Sequence, residues 1–144
     1  MDMFELPGHL ARRFQQIAVA LFHADAARAG FDLTPAQYVA LQTVAACPGV
    51  DQAGLAAAIA YDRATINGVV DRLVQKGLLA QCVNPKDRRA RILEITPSGL
   101  EILAQTAPVV ERVQQRLLSP LSQEEAARFM ELFRKLVHGG AEAR

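Results

Sequence analysis

With 144 residues and 15.7 kDa, the chain is the size of one domain and can bury roughly 70% of the surface that its unfolded form exposes. Hydrophobic residues at 51% and charged residues at 22% exclude the disordered and fibrous classes, while Cys47 and Cys82, with no CxxC pair and no Cys/His cluster, exclude a disulfide framework and a structural zinc site. The net charge is only +1, yet residues 61–91 hold seven basic and three acidic side chains, so the basic character is local. The longest charge-free stretch, Leu33 to Val50, is interrupted by Thr34, Pro35, Gln37, Gln42, Thr43 and Pro48, and no basic region precedes an apolar core at Met1. A cytoplasmic protein without a membrane span is therefore expected.

Leu10, Phe14, Ile17 and Leu21 recur at helical spacing and predict a first helix from about Pro7 to Ala29, before Gly30. Thr34-Pro35-Ala36-Gln37 has the form of a capping box with proline at the first helical position, opening a second helix to about Ala46. Cys47-Pro48-Gly49 breaks it. Asp51 then caps a short third helix with Leu55 and Ile59 inward, and Asp62 caps a fourth whose apolar face is Ile66, Val69, Val70 and Leu73. Its other face carries Arg63, Thr65, Asn67, Asp71 and Gln75, and Lys76-Gly77 ends it.

The period next falls towards two. Leu79 to Val83 and Ala90 to Ile95 predict the strands of a hairpin, joined by a basic turn that follows Asn84-Pro85. Thr96-Pro97 starts a fifth helix to Leu118, with Leu100, Leu103, Ala107, Val110 and Leu117 inward and a kink at Pro108. Ser122-Gln123-Glu124-Glu125 is a second capping box, opening a sixth helix with Phe129, Phe133 and Leu136 on one side, which Gly139-Gly140 is expected to end.

A short helix, a tight turn and an amphipathic helix that starts with small and polar residues, followed at once by a basic hairpin, is the layout of a winged helix-turn-helix. The fold class is therefore mainly α with a small β-hairpin wing. The start of such a recognition helix must be slim enough to enter the major groove and polar enough to bond base edges or phosphates. Arg63, Ala64, Thr65, Asn67 and Gly68 meet that need, with Asn67 the best base reader. Lys86, Arg88 and Arg89 lie at the wing tip, and an arginine there can enter a minor groove whose negative potential rises where it narrows. A solvated hairpin turn is the bland alternative.

Four blocks resemble the MarR family of bacterial transcription regulators over nearly the full chain: Leu33-Thr34-Pro35-Ala36-Gln37-Tyr38, Asp62-Arg63-Ala64-Thr65-Ile66, Val70-Asp71-Arg72-Leu73-Val74-Gln75-Lys76-Gly77-Leu78-Leu79, and the segment from Asp87-Arg88-Arg89 to Ile95-Thr96-Pro97-Ser98-Gly99. The resemblance implies an obligate homodimer and a single domain over residues 1–144. Residues 1–30 and 97–138 would be its dimerisation helices, and residues 34–96 would bind one half of a pseudo-palindromic operator in double-stranded DNA. It implies that Arg89 is the wing arginine, supported by Asp87, and that Ala64, Thr65 and Gly68 fall at major-groove or phosphate contacts. Gly68 departs from the family pattern, where a longer polar or basic residue is frequent, and suggests close backbone approach instead.

For control, His9 and Arg13 stand one helical turn apart beside Phe14, a set able to hold a carboxylate on an aromatic ring. Exposed charges at a dimer rim are the plainer reading of Arg12 and Arg13. Leu6-Pro7-Gly8-His9-Leu10, with the Leu33–Tyr38 block, resembles the branch that regulates degradation of benzoate- and hydroxycinnamate-like acids. That resemblance points to an aromatic carboxylate or its thioester as effector; the His9/Arg13 pair places it in a cleft between the dimerisation helices and the DNA-binding part, with Tyr38, at their junction, as a further pocket residue. The reading is a repressor, not an enzyme, with no cofactor and no metal. Neither GxSxG nor HExxH occurs, and His9, His23 and Asp25 lack close ligand spacing. A cysteine-based redox sensor is the alternative and a small helical enzyme the remote one; cysteine is among the most often buried residues, so inert thiols are expected.

Overall fold

A computed structural model describes Met1 to Glu142. After a 3-10 turn at Met3–Glu5 come the helices α1 (Pro7–Ala29), α2 (Pro35–Ala46), α3 (Gln52–Ile59) and α4 (Arg63–Gln75). The strands β1 (Leu79–Asn84) and β2 (Asp87–Ile95) and the helices α5 (Pro97–Leu117) and α6 (Gln123–Glu142) follow. The predicted order of elements is thus the observed one, that of a winged helix-turn-helix. The chain divides into two compact units, residues 1–21 with Glu111 onward, and Phe22–Val110.

Local chemistry sets most helix ends. At α2 the Thr34 hydroxyl accepts the Gln37 N–H at 3.1 Å while the Gln37 side chain accepts the Thr34 N–H at 3.2 Å, which is the reciprocal box read from the sequence. Ser122 and Glu125 repeat it at α6, where the Ser122 N–H and hydroxyl hold the Glu125 carboxyl below its ordinary range. Gly77 ends α4 in the left-handed region at φ 74°, letting the Leu78 N–H reach the Leu73 carbonyl at 2.9 Å. Gly139-Gly140 does not end α6, which continues to Glu142, a correction to the sequence reading. Glycine only weakens a helix by about 1 kcal/mol; it stops one where the left-handed turn is taken, and Gly139 is not among the positive-φ glycines.

In the unit Phe22–Val110, Leu41 and Val44 of α2, Leu55 of α3, Ile66, Val70 and Leu73 of α4, Leu79 of β1 and Leu93 of β2 form one buried cluster. The face expected of α5 is corrected in part: Leu103, Val110 and Leu117 are half-buried as expected, but the fully buried residues are Thr106, Val109 and Val113, and Leu100 and Ala107 are exposed. Thr106 can be buried because its hydroxyl donates to the Ile102 carbonyl at 2.6 Å, leaving its methyl to pack as an apolar group.

The hairpin turn is also tighter than expected. β2 begins at Asp87, not Ala90, and only Pro85 and Lys86 lie outside the strands. Pairing passes from Val83–Arg91 to Asn84–Asp87, so Arg88, Arg89 and Ala90 form a bulge on β2. The Arg89 N–H finds a side-chain acceptor, Asp87, in place of a ladder partner, which alternation of residue types could not reveal.

The Thr96-Pro97-Ser98-Gly99 motif is a structural knot. Thr96 donates its hydroxyl to the Gly77 carbonyl at 2.6 Å, accepts the Gly99 N–H at 3.0 Å, and sends its own N–H to the Leu78 carbonyl at 3.1 Å. A Cβ on Gly99 would stand 2.3 Å from the Leu78 oxygen and 2.6 Å from Ile95 Cγ1. Gly99→Ala should therefore destabilise the fold by about 1 to 3 kcal/mol, seen as a lower denaturation midpoint at unchanged slope. Ser98→Ala, at an exposed neighbour, should stay within about 0.5 kcal/mol of the parent; equal effects would show that the crowding at Gly99 is relieved without cost.

Candidate functional site

Within the unit Phe22–Val110, α3, α4 and the hairpin wall a groove of about 380 Å³. Arg63 and Asn67 enter it from α4, Gln52 from α3, and Asp87, Arg89 and Arg91 from β2. Sequence positions 24 residues and more apart, Arg63 and Asp87 to Arg91, thus share one surface. The α4 side of that surface rests on Ile66, Val70 and Leu73, all fully buried, which fixes the opposite face of the helix outward.

The first turn of α4 is capped by Asp62. The Thr65 N–H and hydroxyl each donate to its carboxylate at 2.8 Å, and they hold the Asp62 pKa below the ordinary aspartate range. A depressed carboxylate stabilises the fold above its unfolded pKa, and this contribution is lost as pH falls through the folded value. The Thr65 hydroxyl proton is thereby committed to the cap. Ala64 and Gly68 are exposed, and a Cβ added at Gly68 would meet nothing within 4 Å, so the mid-helix surface there is open.

At the wing tip, Asn84 Oδ1 accepts the Lys86 N–H at 3.0 Å, Asp87 Oδ1 accepts the Arg89 N–H at 3.0 Å, and Arg91 donates to the Arg88 carbonyl at 3.0 Å. Asp87 therefore engages Arg89 through the backbone and fixes where that side chain leaves the strand. Lys86, Arg88 and Arg89 are all exposed.

A second cavity, of about 860 Å³, belongs wholly to the other unit. His9, Arg13 and Phe14 of α1 line it together with Phe4, Phe129 and Phe133. Phe14 meets Phe129 and Phe133 edge to face at centroid distances of 5.9 and 5.8 Å, and Phe4 meets His9 edge to face at 5.3 Å. Its wall is aromatic and aliphatic with two nitrogen-bearing side chains, the composition of a site for a flat, mainly apolar anion. Tyr38 belongs to the unit Phe22–Val110, where it is buried against Phe22.

Gln52, Gln81 and Arg91 were not singled out from the sequence as site residues. Gln52 donates to Asn67 at 2.9 Å and accepts from Gln81 at 2.6 Å, contacts that span 15 and 29 residues and leave no local pattern to read. Cys47 and Cys82 are free and exposed, which corrects the expectation that burial shields them. Cys47 is the cap after α2, and Cys82 is an exposed position on β1 of the two-stranded sheet. Among the described residues, no three His, Cys, Asp or Glu side chains form a metal site, and no helix is long and apolar enough to cross a membrane.

The family model described as MarR family matches residues 31–90. A putative transcriptional regulatory protein for the hcr operon of Thauera aromatica is 36% identical, over 96% of this chain and 82% of its own length. The PcaV transcriptional regulator of Streptomyces coelicolor, solved in complex with its natural ligand, is 34% identical with a TM-score of 0.85, covering 97% of each chain. BpsR of Bordetella bronchiseptica, whose DNA binding is regulated by 6-hydroxynicotinic acid, is 31% identical with a TM-score of 0.86, covering 95% of this chain and 96% of that one.

Proposed function

This chain belongs to the MarR family of transcriptional regulators, and we propose that it is a cytoplasmic repressor that binds a pseudo-palindromic operator as a homodimer and leaves it when a small aromatic carboxylate, or its thioester, binds. The observation that carries the DNA reading is the groove in which Arg63 and Asn67 of α4 meet Arg89 and Arg91 of the wing. A recognition helix in the major groove and a wing arginine in the adjacent minor groove would use that surface together. The dimer reading rests on apolar side chains left bare on the first and last helices: Leu10 and Ile17 are each 48% exposed, Leu136 is 73% and Val137 is 57%. A second copy of the same helices would cover them, with residues 1–30 and 97–138 as the dimerisation segments and residues 34–96 on the DNA. The effector reading rests on the aromatic cavity with His9 and Arg13 in its wall, and on the likeness to BpsR.

The test is selection from a library of duplexes with a randomised centre, paired with sedimentation of the protein alone. The expected outcome is an enriched inverted repeat with half-sites about one helical turn apart, bound by a species of twice 15.7 kDa. A folded monomer at micromolar concentration would remove the dimer, and a library without an enriched sequence would remove the operator.

A further inference from the structure

A hydrogen-bonded file of three carboxamides, two of which line the groove beside α4, is not required by the DNA-binding reading. Gln81 of β1 donates its Nε2 to Gln52 Oε1 at 2.6 Å, and Gln52 of α3 donates its Nε2 to Asn67 Oδ1 at 2.9 Å. The file ties the wing strand, the first helix of the helix-turn-helix and the recognition helix to each other. It also has a direction. Each amide accepts with oxygen from the side chain before it, so the Asn67 oxygen is turned towards Gln52. Asn67 Nδ2, on the other side of the same carboxamide, has no hydrogen-bond partner among the described residues, and Asn67 is exposed on the groove.

We propose that Gln52, steadied by Gln81, is a positioning residue for base recognition that fixes the Asn67 carboxamide with its NH2 group outward, so that Asn67 reads acceptor edges of bases. The proposal rests on the DNA-binding reading. A freely turning asparagine offers both its atoms and matches adenine, which presents one donor and one acceptor in the major groove. With its oxygen held inward it instead favours guanine, which presents two acceptors, or the thymine O4. Hydrogen bonds among exposed amides are weak while water competes, but a docked duplex excludes that water and strengthens the file when discrimination is needed.

The experiment compares enriched sequences from one randomised duplex library for the parent, Gln52→Ala, Gln52→Glu and Gln81→Ala, after circular dichroism has established that each is folded. The parent should enrich guanine or thymine at the position that Asn67→Ala renders indifferent. Gln52→Ala should lose that preference by about fivefold or more and admit adenine, the size of one good base contact. Gln81→Ala should move it in the same direction and less. In Gln52→Glu the partner has no donor, so Asn67 must donate to it and turn its own oxygen outward; the preference should invert towards cytosine or adenine. The added negative charge lowers affinity for every sequence alike and does not mimic that inversion. Unchanged base preference in Gln52→Ala and Gln52→Glu, with the parent selecting a defined operator, would overturn the positioning role alone. A parent that enriches nothing would overturn the DNA-binding reading beneath it.

Discussion

Arg89→Ala is expected to weaken operator binding by about 10- to 100-fold and to flatten its salt dependence, with about two fewer counterions released per dimer. The side chain leaves a bulged strand whose geometry is pinned on each side of it. Asp87 accepts the Arg89 N–H, and the Arg91 guanidinium holds the Arg88 carbonyl, both at 3.0 Å. An arginine presented from a fixed backbone loses less freedom on entering a narrow groove than one on a loose loop, and the groove's potential rewards its charge. The substitution therefore removes a sequence-sensitive contact and an electrostatic one together. Arg12→Ala, on an exposed helical position outside the groove, serves as the charge-matched control and should leave the slope unchanged. Asp87 gives the complementary test. Asp87→Ala should lower affinity through a loosened tip, while Asp87→Asn keeps an Oδ1 acceptor for the Arg89 N–H and should restore most of it. Titrations at two salt concentrations decide the matter: equal affinities and slopes for the parent and Arg89→Ala would take the wing off the DNA.

Why the wing was legible and the carboxamide file was not follows from the range of the interactions. Thr34 with Gln37, Asp62 with Thr65 and Ser122 with Glu125 are bonds between residues three apart, so the residue types announce them. The apolar stripe of α4 is equally local, and Ile66, Val70 and Leu73 are buried as its spacing requires. The face of α5 was misread because leucine and alanine outnumber threonine as core residues, yet Thr106 is fully buried and Leu100 is 52% exposed. Hydropathy cannot report that a hydroxyl will be satisfied by its own helix. The wing bulge and the Gln81–Gln52–Asn67 file depend on strand register and on tertiary approach, neither of which has a sequence period. Of the proposed ligand set, His9, Arg13 and Phe14 were foreseen to meet by helical spacing, whereas Phe129 and Phe133 came to the same cavity from more than 110 residues away.

The second large effect concerns release. An aromatic carboxylate that enters the cavity should lower operator affinity by roughly 5- to 150-fold, the range that a coupling of about 1 to 3 kcal/mol allows. The cavity suits such a ligand by composition: Phe14, Phe129 and Phe133 supply ring edges and faces, while Arg13 and His9 supply donors for a carboxylate or a thioester carbonyl. Leu10, Ile17 and Leu136, which a second copy is proposed to cover, also line the cavity, so the volume of about 860 Å³ in one chain is an upper bound on the space for a ligand where the copies meet. Binding alone releases nothing, because only a difference in affinity between DNA-competent and DNA-incompetent arrangements shifts the balance. The ligand walls provide a route, since α1 and α6 are the helices whose bare apolar faces a second copy is proposed to cover. On the proposed dimer, a group lodged against Phe14 and Phe133 would change how those faces meet their partner and so which spacing of the two recognition helices is favoured. His9→Ala and Arg13→Ala should accordingly keep the parent's operator affinity and lose most of the response, and Arg13→Lys should recover part of it by restoring charge without the two-pronged geometry. The measurement is operator affinity across a panel of benzoates, hydroxycinnamates and their thioesters, with a peroxide added as a separate arm. If no panel member changes affinity while the peroxide does, the exposed thiols of Cys47 and Cys82 become the sensor and the cavity loses its role.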